Sequence, residues 1–414
     1  MMALDKVLFV TNHYPPDIGA ASNRANHVVR VLRERGLHVD VVTSRPVYPN
    51  PELYHHDDWK RKSNSPKGEV RYVFALSKGY RRFPLLFRLI NQLLFFFLAS
   101  FYVLRKGQYY RLVVTSSPPF IVSGIGLLAK CVRRCKWLTE IRDLWPDSLL
   151  AVGKMSSSMF LYKLLKRLEY LFYRKSDGIV LLSPGMADHL KDGAVPQEKL
   201  MTITNGIPEW ISKRKERYSV DHPLTIRYIG NIGHAQDFTP LLDMARRNPE
   251  IRFELIGEGM YKERLRILVE RQSLSNVILK DGIVNREEIL DAYVTSDAGY
   301  IGLKSHDIFS HVIPSKLFEY GATGVPILYC GPRGSDSSAI IEKYGLGAVV
   351  ARPDQFSAED VKNVIRHYRE HADVQGFMAE YSWDAIGDRY YTFLSGRCLH
   401  ERQSVHDSVE SFHN

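Results

Sequence analysis

A carboxylate near the start of a helix can accept hydrogen bonds from hydroxyl groups of a ligand, and one segment of this sequence has that arrangement. In HVIPSKLFEYGATGVPIL (311–328) a helix begins after Pro314, carries Glu319 early, and then breaks on small residues. Ser315 is a favourable N-cap type, and a capping box would put an acid three residues on, where Phe318 stands instead. Glu319 then has two explanations. Its charge is attracted to the helix dipole, worth about 0.3–1 kcal/mol, or it points into a cleft and meets hydroxyls.

Other stretches also concentrate chemistry at strand ends. WLTEIRDLWPDSL (137–149) ends a strand in Glu140, Arg142, Asp143 and Asp147, with Trp145-Pro146 stiffening the turn. Buried charges need partners, so the bland reading is a local pair of Arg142 with Asp143 or Glu140, and the sharper one is a site. TNHYPPDIGAASNRANHVVR (11–30) places Gly19 before a helix, where backbone amides suit a phosphate or a sugar hydroxyl; an ordinary glycine turn fits equally. FELIGEGMYKERL (253–265) offers Gly257 and Gly259 between strand and helix without the third glycine of a dinucleotide fingerprint, which suits close approach of a nucleotide rather than NAD. YIGNIGHAQDF (228–238) runs a strand into Gly230 and Gly233, with Asn231, His234 and Gln236 beside them.

Positioning such loops calls for parallel sheets. Near-continuous apolar strands, such as Val7–Thr11, Val39–Thr43, Val70–Leu76 and Leu112–Thr115, alternate with helical patterns, and the alternation restarts at Thr225. At 414 residues and 45% hydrophobic, the chain has enough apolar side chains for two cores. The expected fold is α/β: two Rossmann-like, doubly wound domains facing across a cleft, with ligands at the carboxyl ends of the strands. The expected bounds are 1–204 and 224–380, joined by a charged, proline-containing linker at 205–223. The polar tail 396–414 is expected to be disordered.

The net charge of +10 points to an anionic partner. Between Lys60 and Arg111 stand twelve Lys or Arg residues and one acid, bracketing the uncharged run Leu89–Leu104. That run is short of the roughly 20 residues a span needs. It reads as a core helix with solvated basic ends, or as a helix at an anionic membrane surface with Arg81, Arg82, Phe96, Arg105 and Lys106 as the contacts. The four cysteines form no metal-like cluster, and the short apolar run at the N-terminus does not suit a secretory signal, so a reduced, cytoplasmic setting is expected. No aromatic RNA-stacking motif appears, so no nucleic-acid partner is expected.

These motifs, together with TSSPPF (115–120), LLSPGM (181–186), TNGI (204–207) and YSWDAIGDRY (381–390), run in order over about residues 5–395. The chain resembles family 4 glycosyltransferases of the GT-B fold, in the bacterial surface-polysaccharide branch related to fucosamine transferases. The resemblance implies an N-terminal acceptor domain, a C-terminal donor domain and a terminal helix, 381–395, that crosses back. It implies a hexosyl- or N-acetylhexosaminyl-type transfer from a nucleotide-sugar, a UDP-sugar, to a lipid-linked saccharide at the cytoplasmic membrane face. Retention of configuration is implied, with no metal or other cofactor. Glu319 corresponds to the glutamate that binds the ribose hydroxyls. His311 replaces the partner glutamate eight residues earlier, and Asn231 and Gln236 stand where many relatives carry Arg and Lys for the diphosphate. Lys316 is the candidate replacement. Asp143 falls near the family's histidine or acid beside the donor sugar, as a catalytic candidate with Glu319. The same fold also serves sugar-nucleotide epimerases, and a non-catalytic basic membrane-binding protein is the remaining alternative.

Overall fold

The computed structural model describes residues 6–17, 19–46, 54, 66–76, 84–151, 155–191, 195–212, 214–216, 218, 222–283 and 285–399. The chain forms two compact units: residues 1–150, 155–204 and 383–414 in one, and 151–154 with 205–382 in the other.

The N-terminal unit contains β1 (Lys6–Thr11), α1 (Ala20–Glu34), β2 (His38–Ser44), β3 (Val70–Val73), α2 (Pro84–Lys106), β4 (Leu112–Ser117) and α3 (Val122–Arg133). There follow β5 (Lys136–Ile141), α4 (Asp147–Ala151), α5 (Phe160–Lys175), β6 (Gly178–Leu181), α6 (Pro184–Lys191) and β7 (Leu200–Thr202). All seven strands are parallel, in the order β3-β2-β1-β4-β5-β6-β7. Order reverses between β1 and β4, the place where open α/β sheets gather ligands.

β3 is shorter than the expected Val70–Leu76. The amide of Asn91 in α2 takes over the last residue: Leu76 donates to Asn91 Oδ1 at 2.7 Å, and Asn91 Nδ2 donates back to Leu76 O at 3.0 Å. This exchange also explains a buried asparagine in an apolar helix. β7 escaped sequence reading because its three residues are all half-buried at the sheet edge and carry no alternation.

The second unit contains β8 (Thr225–Ile229), α7 (Thr239–Arg247), β9 (Arg252–Ile256), α8 (Lys262–Arg271), β10 (Val277–Lys280), α9 (Arg286–Val294) and β11 (Ala298–Gly302). It continues with α10 (Ser315–Thr323), β12 (Ile327–Cys330), α11 (Asp336–Lys343), β13 (Gly347–Val349), α12 (Ala358–His371) and α13 (Val374–Tyr381). Its six parallel strands run β10-β9-β8-β11-β12-β13, with the switch between β8 and β11. Residues 205–218 lie in this unit, where Lys215 N donates to Thr323 O at 2.7 Å and Tyr218 Oη to Gly324 O at 2.6 Å.

The last helix, α14 (Trp383–Leu394), belongs to the N-terminal unit. Trp383 stacks on His27 of α1 with ring centroids 4.4 Å apart. A side chain at Gly387 would meet Val31 at 2.4 Å, so glycine there lets the two helices touch. Ser395–Leu399 continue as one wide helical turn, so disorder expected from 396 does not hold for these residues; 400–414 lie outside the described residues.

α2 spans more than the sequence suggested. Leu86–Tyr109 is long and apolar enough, by length and composition, to cross a bilayer, and 28% of an 18-residue apolar window within it is buried. Phe95, Ala99 and Val103 are fully buried in the core with Leu8, Val10 and Val113. Phe97 and Phe101 stand out at 64% and 54% exposure. Three consecutive phenylalanines cannot share one helix face, because each residue advances the helix by more than a quarter turn. Phe96 is accordingly half-buried, packed against that core beside Gly124 of α3. Arg105 and Lys106 are exposed. Arg81 and Arg82 lie outside the described residues.

Candidate functional site

In the C-terminal unit the candidate residues gather at the carboxyl ends of β8 and β9 and the start of α10. Gly230 follows β8 with φ 129°, and a side chain there would collide with Lys316 Nζ at 2.7 Å. The Lys316 ammonium therefore rests over bare backbone. It also lies 4.7 Å from the centre of the Tyr228 ring, a cation–π contact.

The two glycines after β9 have a steric reason of their own. A side chain at Gly257 would come within 1.8 Å of Gly230 O, and one at Gly259 within 2.1 Å of Ile232 O. Ile232 N donates to Glu258 O at 2.8 Å, so the β8 and β9 loops pack backbone against backbone. Gly257 is buried.

Asn231 is exposed, and its carbonyl accepts a hydrogen bond from Tyr228 Oη. Gln236 Oε1 accepts from Gly233 N at 2.9 Å and thereby closes the 230–236 loop. His311 ends a short 3-10 turn, Asp307–His311, and is half-buried.

Glu319 is half-buried, and Tyr293 Oη of α9 donates to its Oε2. Burial pushes the Glu319 carboxyl above the ordinary range, while the Tyr293 hydrogen bond and Lys316 pull it back. Pro314, not Ser315, occupies the N-cap position, and no side chain caps the helix. The proline ring fixes an extended residue there and the helix starts at Ser315, which puts Glu319 beyond the first turn, where a dipole explanation is weak. The break that follows is also accounted for. Gly321 admits Phe377, whose ring would lie 2.6 Å from any side chain there, and Gly324 closes the helix at φ 76°, the left-handed C-terminal position.

Tyr293 was not singled out from sequence. It lies on another helix, 26 residues before Glu319 in the chain, and only the fold joins them. Trp210 packs 6.4 Å from the Tyr293 ring centre.

In the N-terminal unit the β5 tip sorts its charges. Glu140 is 0% exposed, accepts from Arg24 Nε at 2.9 Å and from Ser116 Oγ at 2.7 Å. Arg24 also donates to Thr204 O at 2.6 Å and Ile203 O at 2.9 Å. Arg142 donates to Pro118 O at 2.7 Å and Ser117 O at 3.2 Å. The expected pairing of Arg142 with Glu140 or Asp143 is thus replaced by Arg24–Glu140 and by Arg142 on carbonyls. Asp143 is exposed. Asp147 accepts from Tyr162 and Lys166 at 2.6 Å each and sits 2.8 Å from His189 Nε2. Gly19 precedes α1 with φ 154°, and no side chain caps that helix. Asp143 and Gly19 belong to the N-terminal unit, and the other candidates for donor and catalysis to the C-terminal unit. Among the described residues no group of three or more His, Cys, Asp or Glu is placed to hold a metal ion.

Residues 19–206 match the model of the glycosyl transferase 4-like domain. The chain is 23% identical, over 64% of its own length and 68% of the relative's, to the probable glycosyltransferase WbjE of Pseudomonas aeruginosa. It is 21% identical, over 85% and 90%, to the putative colanic acid biosynthesis glycosyl transferase WcaI of Escherichia coli K12. Among solved structures, Anabaena Alr3699/HepE in complex with UDP-glucose matches 94% of this chain and 99% of its own, with TM-score 0.64 and 13% identity. The chain is a GT-B glycosyltransferase. It is related to enzymes of bacterial surface-polysaccharide assembly, and its two parallel sheets are the two Rossmann-like domains of that fold.

Proposed function

We propose that this glycosyltransferase moves a sugar from a nucleotide-sugar, a UDP-sugar, to a lipid-linked saccharide at the cytoplasmic face of the membrane, with retention of configuration. The observation that carries the donor half is the tip of α10. Lys316 stands over the bare Gly230 backbone, with Glu319 one turn further along the helix: a cation for a diphosphate, and a carboxylate that already takes one hydroxyl and has the chemistry to take those of a ribose. Lys316 there compensates for the uncharged Asn231 and Gln236. Asp143, exposed at the β5 tip, is the proposed group beside the donor sugar. HepE, a structural neighbour, was solved with UDP-glucose, which supports the choice of nucleotide; an amino-sugar donor would fit the fucosamine-transferase resemblance. The exposed apolar side of α2, with Arg105 and Lys106 at its end, supports peripheral attachment near a lipid-linked acceptor.

Turnover of a panel of UDP-, GDP- and dTDP-sugars, with and without lipid-linked saccharides, tests the reading. Transfer from a UDP-sugar only in the presence of acceptor is expected; epimerised donor without acceptor would replace the proposal by the epimerase. Glu319→Ala should weaken UDP-sugar binding by about 1.5–3 kcal/mol, the range for a hydrogen bond to a charged group. Calorimetry showing unchanged affinity in a cooperatively melting variant would remove Glu319 from the site.

A further inference from the structure

α5 repeats on a second helix what α2 does on the first. Phe160 is 79% exposed, and Leu161, Leu164 and Leu171 are exposed with it. At 3.6 residues per turn, Phe160, Leu164 and Leu171 fall in one narrow arc. Lys163, Arg167 and Arg174, also exposed, line the flank of that arc. The opposite side of α5 holds the buried Glu169, Phe172 and Tyr173. On α2, exposed Leu86, Leu89, Leu93, Phe97 and Phe101 form a corresponding stripe; the exposed charges of the helix, Arg88, Arg105 and Lys106, lie towards its two ends, and Arg105 stacks over Phe101. Neither helix exposes an acid: α2 has none, and the one in α5, Glu169, is buried.

Both helices pack on α3. Gly124 of α3 lies under both, a side chain there being 3.1 Å from Phe96 of α2 and 3.7 Å from Phe172 of α5. The absent side chain makes room for both aromatic rings against α3, so the two stripes belong to helices packed on the same third helix.

We infer that α2 and α5 together form one flat platform that lies on an anionic bilayer, with neither helix crossing it. This rests on the membrane reading above and gives that surface a second half. Crossing is disfavoured because α2 would have to withdraw Phe95, Ala99 and Val103 from the core of the unit. A helix whose apolar side faces outward between basic residues instead sinks to the boundary of headgroups and acyl chains, and the cations hold the lipid phosphates. Charge complementarity decides the occupant: a protein partner of ordinary composition offers no reason for two apolar stripes whose exposed charges are all positive.

The test uses the full chain with vesicles of phosphatidylglycerol and phosphatidylethanolamine, against phosphatidylcholine alone, at low and high salt. Three proteins are compared: the unaltered chain, an α5 variant (Phe160→Asp, Lys163→Glu, Arg167→Glu, Arg174→Glu) and an α2 variant (Phe97→Asp, Phe101→Asp). All changes are at exposed positions, and each variant is admitted only with an unaltered melt. Each variant should lower partitioning onto the anionic vesicles by about tenfold or more. Hydrogen exchange on the unaltered chain should show residues 160–175 protected by those vesicles. If the α5 variant binds like the unaltered chain while the α2 variant does not, the two-helix platform is wrong and the membrane reading stands on α2. If no vesicle binds the unaltered chain, both fall. A concentration-dependent doubling of mass that the α5 variant abolishes would assign the surface to a second copy and overturn the inference.

Discussion

Glu140 and Glu319 are both carboxylates near the carboxyl ends of a parallel sheet, one in each unit, and they are satisfied in different ways. Glu140 has both oxygens engaged, by a guanidinium and a hydroxyl, in a fully buried position. Glu319 is half-buried, takes one tyrosine hydroxyl, and has a lysine one turn away. The first arrangement closes on itself and fastens α1 to the ends of β4, β5 and β7 through Arg24. The second is open to a further donor of hydrogen bonds. Identical side chains at similar places in two related sheets thus divide between architecture and binding according to how many of their partners the fold supplies.

Breaking the closed pair should have the largest effect. Arg24→Ala leaves Glu140 buried without its cation and leaves Ile203 O and Thr204 O without a donor. Removing one partner of a buried ion pair costs about 3–5 kcal/mol, so urea unfolding of the N-terminal unit should shift by that amount. Glu319→Ala, by contrast, should leave the melt of its unit nearly unchanged while affecting ligand binding. A similar loss of stability from both substitutions would erase the distinction.

The open site is sharpened by Lys316→Ala. If the ammonium over Gly230 holds a diphosphate, UDP should lose about 1.5–3 kcal/mol of affinity and uridine almost none. Equal losses for UDP and uridine in calorimetry would place Lys316 away from the phosphates. The loss should also shrink as salt rises, since an ion contact at a half-buried, solvent-reached lysine is partly screened.

The physical difference between the two glutamates also explains what could be read from sequence. The parallel sheets were legible because buried strands are continuous apolar runs, and β8, Thr225–Ile229, was delimited by that pattern alone. The loops bearing Gly230, Gly257 and Glu319 were legible as motifs, because glycine and charge at strand ends are local signals. Their partners were not. Arg24 reaches a strand 116 residues later, and Tyr293 reaches Glu319 from another helix. Pairings of that separation leave no trace in spacing. Ser315 was misread as the cap because N-cap preference is weaker than the fixed geometry of the preceding proline. The platform on α2 was half visible: its composition showed in the sequence, but that Phe95 enters the core while Phe96 lies against Gly124 depends on the neighbouring α3.

The smallest expected effect concerns Asp147, a third carboxylate, which binds within its unit yet keeps a titratable character. Burial by itself would raise its pKa, but hydrogen bonds from His189, Lys166 and Tyr162 outweigh burial and hold the carboxyl well below the usual range. A carboxyl lowered on folding adds stability that is complete above its unfolded pKa, near 3.9, and that is lost as pH falls towards the folded value. Glu169 shares Lys166 with Asp147 and behaves oppositely: burial raises its pKa against the pull of Lys166 and Tyr173. Its contribution therefore falls as pH rises through the ordinary carboxylate range, partly masking that of Asp147. The two are separable by difference. Asp147→Asn should be less stable than the parent at pH 7, and the gap should narrow by pH 3, where the parent has begun to lose its ion pair. With Glu169→Gln the gap should change in the opposite direction between the same two values of pH. Urea midpoints for the three proteins at pH 7 and pH 3 check both signs. A constant gap between parent and Asp147→Asn would mean that the Tyr162, Lys166 and His189 contacts hold Asp147 by shape and not by its charge, unlike the ion pair that holds Glu140.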